Sequence, residues 1–125
     1  ELIERLKGDI VGLAFLVELA SERALRSLRP DFKKLADFGR DVAVTAPSRS
    51  KRYDFVSRYF APAQGIDEDP VTGSAHCMLG PFWGERLGKS SLRAWQASER
   101  GGEVRVRLAG RRVLLLGRAL TVLRG

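Results

Sequence analysis

A chain of 125 residues with 44% hydrophobic and 30% charged side chains has the make-up of one globular domain, residues 1–125, with a modest core. No charge-free apolar run reaches about 18 residues, so no membrane partner is expected, and the lone Cys77 excludes an internal disulfide and points to a reducing compartment, the cytoplasm. The net charge of +7 is scattered in small groups such as Arg105/Arg107 and Arg111/Arg112, without the aromatic-interleaved stripe of a nucleic-acid surface, so no nucleic acid is expected as a partner.

Glu1 to Leu6 reads as the tail of a helix closed near Gly8, and it lacks the shape of a signal peptide. Because the chain opens on Glu1 and its only methionine is Met78, upstream sequence is expected to be missing. Ile10 to Leu19 is apolar and partly β-branched, which suggests a strand buried on both faces; periodicity alone does not separate it from a buried helix. Ser21 can cap a short helix, Glu22 to Leu28, that Pro30 stops. Asp31 can cap a second one carrying Phe32, Leu35 and Ala36 and closed by Gly39.

Asp41 to Ala46 is a short strand ending at Pro47, and the polar stretch Ser48 to Lys51 is a hairpin connection to a second strand, Arg52 to Phe60. Ala61 to Gly65 then breaks the pattern. The next segment organises the whole chain: three carboxylates, Asp67, Glu68 and Asp69, run through Pro70 and Val71 into Thr72-Gly73-Ser74 and the apolar segment Ala75 to Trp83. Ala75, Met78, Leu79 and Phe82 recur at helical spacing, so a helix begins near Thr72 to Ser74. Its first amides lack intrahelical acceptors and favour an anion, and Gly73 lets a ligand approach the backbone. Nearly every face of this helix is apolar, which predicts enclosure, with a bend at Pro81 and a stop at Gly88.

The remainder reads as β-structure. Ser91 to Ser98 is a strand, Glu99 to Gly102 a turn, and Val104, Val106 and Leu108 alternate with Arg105 and Arg107 on the next strand. Val113 and Leu115 mark another strand and Ala119 to Leu123 a last one after Gly117. The expected class is α+β, a barrel-like mixed or antiparallel sheet wrapped round one central apolar helix.

Tyr53-Asp54-Phe55, Ser57-Arg58-Tyr59-Phe60-Ala61-Pro62 and Glu68-Asp69-Pro70-Val71-Thr72-Gly73-Ser74-Ala75-His76 together resemble the second half of the phenazine biosynthesis PhzF-like isomerases. Trp83, Leu87-Gly88-Lys89, Gln96, Ser98 and Arg100-Gly101-Gly102-Glu103 agree with the same pattern. The resemblance implies a diaminopimelate-epimerase fold of two similar domains, with the active site in the cleft between them. It also implies proton transfer on small carboxylic acids with no metal or organic cofactor. The family's first domain, with its catalytic glutamate and Gly-His-Ala-Thr motif, has no counterpart in this chain, so the chain alone should be inert.

On that reading Asp69 is the catalytic candidate, and Gly73, Ser74, Ala75 and His76 are the substrate-binding candidates, the first three through backbone amides around a carboxylate. Asp67 and Glu68 read as solvated loop charges, His76 otherwise as a packed histidine with a single hydrogen bond, and Cys77 as a small buried hydrophobe. Arg58, Tyr59 and Phe60 could line the cleft; strand packing explains Tyr59 and Phe60 as well, and Arg58 can simply pair with an acid. The expected partners are a small anionic substrate and the missing first domain. A second copy of the chain is the alternative, in a self-associating binding or scaffolding module without catalysis.

Overall fold

The computed structural model describes residues 14–117. The helix tail expected at Glu1 to Leu6 and the strand expected at Ala119 to Leu123 lie outside the described residues. Among the described residues seven strands make one mixed sheet: β1 (Ala14–Glu18), β2 (Asp41–Pro47), β3 (Phe55–Ala61), β4 (Ile66–Glu68), β5 (Ser91–Gln96), β6 (Gly102–Ala109) and β7 (Arg112–Gly117). Three α-helices accompany them: α1 (Glu22–Ser27), α2 (Phe32–Phe38) and α3 (Gly73–Leu87). The class is α+β. The sheet path runs β1-β2-β3-β5-β6-β7, with β4 attached to β3, so the described strands form an open path.

Two parallel pairings place the helices. β1 pairs parallel with β2, and β3 pairs parallel with β5. A parallel pair needs a crossover connection, and here α1 with α2 supplies the first and α3 the second. The two crossovers cover opposite faces. Leu25 of α1 joins Val44, Ala46, Val56 and Phe60 in one buried cluster, with Phe32 and Leu35 of α2 against it. Ala75, Met78, Leu79 and Trp83 of α3 join Ala43, Phe55, Tyr59, Leu92, Ala94, Val104 and Val106 in the other. Leu16 of β1 and Val113 and Leu115 of β7 also pack against this second cluster, so both end strands of the sheet path contribute to it.

The caps match the sequence signals. Ser21 and Asp31 side chains accept from Ala24 and Lys34 amides at 3.1 Å, and Gly39 and Gly88 close α2 and α3 with positive φ. The helix α3 continues through Pro81 and beyond Trp83 to Leu87. It lies close to β6 because Gly80 and Gly84 face that strand: a Cβ at Gly84 would stand 2.4 Å from Leu108 Cδ1 and 2.9 Å from the Lys89 carbonyl oxygen. Gly84→Ala therefore forces the helix off the sheet. A loss of about 2 kcal/mol is expected in urea unfolding, because overpacking outweighs the gain in helix propensity of about 1 kcal/mol.

Two expectations are corrected here. β1 is not buried on both faces: Phe15 is 43% and Val17 41% exposed, on the face opposite Leu16, where cover is incomplete. Phe15 finds partial cover from the Phe38 ring, 5.1 Å away. The acidic run is not wholly loop either. Its first part is β4, where Glu68 pairs with Phe60, so the Glu68 carboxylate meets Arg58 in a two-pronged ion pair at 2.9 Å. Arg58 also donates to the Leu25 and Leu28 carbonyls, tying the end of α1 to the sheet. Glu68 is structural rather than solvated, and Arg58 takes the acid partner that was the alternative to lining the cleft.

Candidate functional site

One side of β3 is shared between two strands. β5 pairs with it over Phe55 to Ser57, whereas β4 takes over at Phe60 and Ala61. Between them the sheet splits: the Ala97 amide still reaches the Ser57 carbonyl at 2.7 Å, and the Asp69 amide reaches the Tyr59 carbonyl at 2.9 Å. The N-terminus of α3 sits at this split, on the carboxyl ends of β3 and β5. Ligands of sheet-and-helix folds gather at such a place.

Thr72 is the hinge of the site, and each of its polar atoms is held by a side chain. Its amide donates to Gln96 Oε1 at 2.8 Å. Its hydroxyl donates to Asp69 Oδ2 at 2.6 Å and accepts from Gln96 Nε2 at 3.1 Å. Its carbonyl accepts from His76 Nδ1 at 2.7 Å. Gln96 Nε2 also donates to the Asp69 carbonyl at 2.9 Å, so a single buried amide locks both ends of the Asp69–Thr72 turn. Because the Thr72 hydroxyl is committed to Asp69, it makes no capping bond to the helix. The amides of Gly73, Ser74 and Ala75 are thus left uncapped by the residue that normally caps them.

Ser74 is exposed, Gly73 and Ala75 are buried, and Asp69 is half-buried. The open corner of the site is therefore Ser74, two residues from the Thr72 hydroxyl that holds the Asp69 carboxylate. His76 lies beneath this corner rather than on it: its side chain is fully buried, next to the Phe55 ring at 5.9 Å. Burial lowers its pKa to about 4, only partly offset by the bond to Thr72, so the ring is neutral at physiological pH. Cys77 is half-buried rather than enclosed, and burial raises its pKa.

A second polar cluster, of which the sequence pointed only to Tyr59, joins the buried Asp41 and Tyr59 to the exposed Gln64. The Tyr59 hydroxyl donates to Asp41 Oδ2 at 2.5 Å, and Gln64 Nε2 donates to both Asp41 oxygens at 2.8 and 2.7 Å. Burial, the bond to Asp41 and the charges of Asp41 and Asp69 push the Tyr59 phenol upward, so it stays protonated. Its signal in the sequence was weak: a strand opening on Asp41 is common. Gln96 left a clearer one, a polar side chain in the inward register of Leu92 and Ala94. Ser98 completes the wall, donating to the Pro70 carbonyl at 2.8 Å and accepting from the Gly101 amide at 3.0 Å. A shallow cavity of about 280 Å³, lined by Glu68, Pro70, Ser98, Glu99 and Arg100, adjoins the turn on this side. Among the described residues no group of three or more His, Cys, Asp or Glu could hold a metal ion.

The start of α3 is thus tied to Asp69 through the Thr72 hydroxyl and supported from below by a buried, neutral His76. Residues 12–125 match the family model described as phenazine biosynthesis-like protein, and the chain belongs to that PhzC-PhzF family. It is 52% identical over 111 residues to an uncharacterized isomerase of Halalkalibacterium halodurans, covering 88% of this chain and 42% of the relative. It is 55% identical over 120 residues to an uncharacterized isomerase of Pseudomonas aeruginosa, covering 94% and 45%. Among solved structures, a PhzF-family protein of Enterococcus faecalis superposes with a TM-score of 0.76 at 41% identity, over 82% of this chain and 39% of that one. The chain thus spans less than half the length of these relatives. Among the described residues no helix is long and apolar enough to cross a membrane.

Proposed function

We propose that this chain is the second half of a PhzF-like isomerase. It moves a proton on a small carboxylic acid by acid–base chemistry, without metal or organic cofactor, in the cytoplasm. The single observation that supports this reading is that the Thr72 hydroxyl binds the Asp69 carboxylate at 2.6 Å instead of capping α3, the helix that opens with Gly73, Ser74 and Ala75. The amides and the positive end of the α3 dipole would seat the substrate carboxylate. Asp69, held by Thr72, would exchange the proton with an adjacent carbon. The base on the opposite face of that carbon would come from a first half, a glutamate by resemblance, so the chain alone is inert. In the same reading the sheet curls around α3 as a barrel-like half of a two-domain enzyme.

A second reading is a self-associating module, for which the exposed Leu114 and Leu116 on β7 and Phe15 and Val17 on β1 speak. The decisive experiment joins the chain to a first half taken from a close relative. Transfer of solvent deuterium into a dihydroxyanthranilate-type acid is then followed by mass spectrometry. Exchange by the joined halves, and by neither alone, is expected. Exchange by this chain alone, or by no combination while light scattering shows a stable homodimer, would favour other functions.

A further inference from the structure

On the face of the sheet opposite α3, far from the Thr72 turn in sequence and in fold, β5, β6 and β7 carry an outward row of cations. Arg93 stands directly across from Arg105, and Ser91 across from Arg107. Neighbours across a strand pair lie about 5 Å apart, and residues two apart on one strand roughly 7 Å apart. Three guanidinium groups therefore share a patch only two ladder rungs long. Like charges placed directly opposite each other destabilise a sheet. The acids nearby do not relieve them all. Asp54 is engaged by Lys89 Nζ at 2.6 Å and by the Arg93 amide at 2.8 Å, and Glu103, itself buried, by Arg105 Nε at 3.0 Å. No ion pair among the described residues neutralises the Arg93 or Arg107 side chain.

The patch is concave: a cavity of about 480 Å³ is lined by these arginines together with Lys51, Arg52 and Lys89. That is the size of a pocket for a small organic molecule. Asp54, which is bound to Lys89, and Ser91 also line it, and the rest of its wall is apolar. Leu116 pairs with Arg105 and Leu114 with Arg107, and they are 68% and 45% exposed. A guanidinium row suits clustered phosphate oxygens, which arginine grips with two parallel bonds, and a leucine ledge beside it suits an apolar ring.

The geometry points to a second ligand site on β5–β7 for a small organic polyphosphate of nucleotide-like chemistry, an anionic chain over Arg93, Arg105 and Arg107 and a ring against Leu114 and Leu116. It stands apart from the proton-transfer reading and survives that reading's failure. Isothermal titration calorimetry of the full chain with adenosine triphosphate, inorganic tripolyphosphate and a single-stranded DNA oligonucleotide tests it. Saturable one-to-one binding of adenosine triphosphate is expected, weakened about tenfold or more by Arg93→Gln or Arg107→Gln, since each removes a charge-assisted bond. Leu116→Ser should weaken adenosine triphosphate and leave tripolyphosphate unchanged. These side chains are exposed, and an amide NMR spectrum confirms that each variant folds. Absence of saturable binding, indifference to the arginine substitutions, or tighter, length-dependent binding of the oligonucleotide would each overturn the site.

Discussion

Asp69→Asn, in this chain joined to a first half, should abolish solvent exchange into substrate, with turnover falling about a thousandfold and the fold untouched. The substitution is chosen for its shape. Asparagine keeps an oxygen for the Thr72 hydroxyl, which lies 2.6 Å from Asp69 Oδ2, so the turn and the uncapped amides beyond it stay in place. What it removes is the ability to hold and release a proton. General acid–base groups contribute about 10² to 10⁴ in rate, which sets the size of the loss. Substrate affinity should change little if the carboxylate is seated by the helix tip. Exchange that persists in the Asn variant would remove Asp69 from the chemistry, whereas a matching loss of affinity alone would reassign it to binding.

The contrast with Glu68, its neighbour, shows what the sequence could and could not convey. Both stand in one acidic run, and residue type does not separate them. Strand pairing does: Phe60 lies opposite Glu68, and that register brings Arg58 onto the Glu68 carboxylate. A partner ten positions away across a bulged antiparallel pair leaves no local periodicity to read. The helix α3 was legible for the opposite reason. Its apolar spacing, its Thr-Gly-Ser start and its Gly88 stop are all local, and local signals suffice to set where a helix begins and ends. Enclosure of β1 was misjudged because an apolar run announces what it would bury against, not whether a covering layer is there. Gln96 stands between these cases. The alternation Leu92, Ala94, Gln96 placed it inward, but only the split between β4 and β5 explains why an amide belongs there.

Acid should loosen this protein through His76, and the sign is set by where its proton can go. Thr72 supplies an acceptor for Nδ1, so the neutral ring carries its hydrogen there and turns Nε2 into the interior. Nε2 is buried and has no hydrogen-bond partner among the described residues. A second proton would place both a charge and an unpaired N–H against Phe55, itself stacked on Trp83. The folded ring therefore titrates at about 4, against about 6.5 in the unfolded chain. Between those two values the unfolded state binds more protons, so stability falls as pH is lowered from 6.5 toward 4 and this contribution is constant outside that window. Roughly 2.5 pKa units correspond to about 3 kcal/mol, a large share of the stability of a chain this size. Urea midpoints at pH 7 and pH 4.5 measure the fall, and His76→Gln should flatten the dependence in this window while lowering stability at neutral pH. Direct NMR titration settles the cause: an imidazole that protonates near 6.5 in the folded chain would show that burial does not hold His76 neutral, and the proposed acid sensitivity would fall with it.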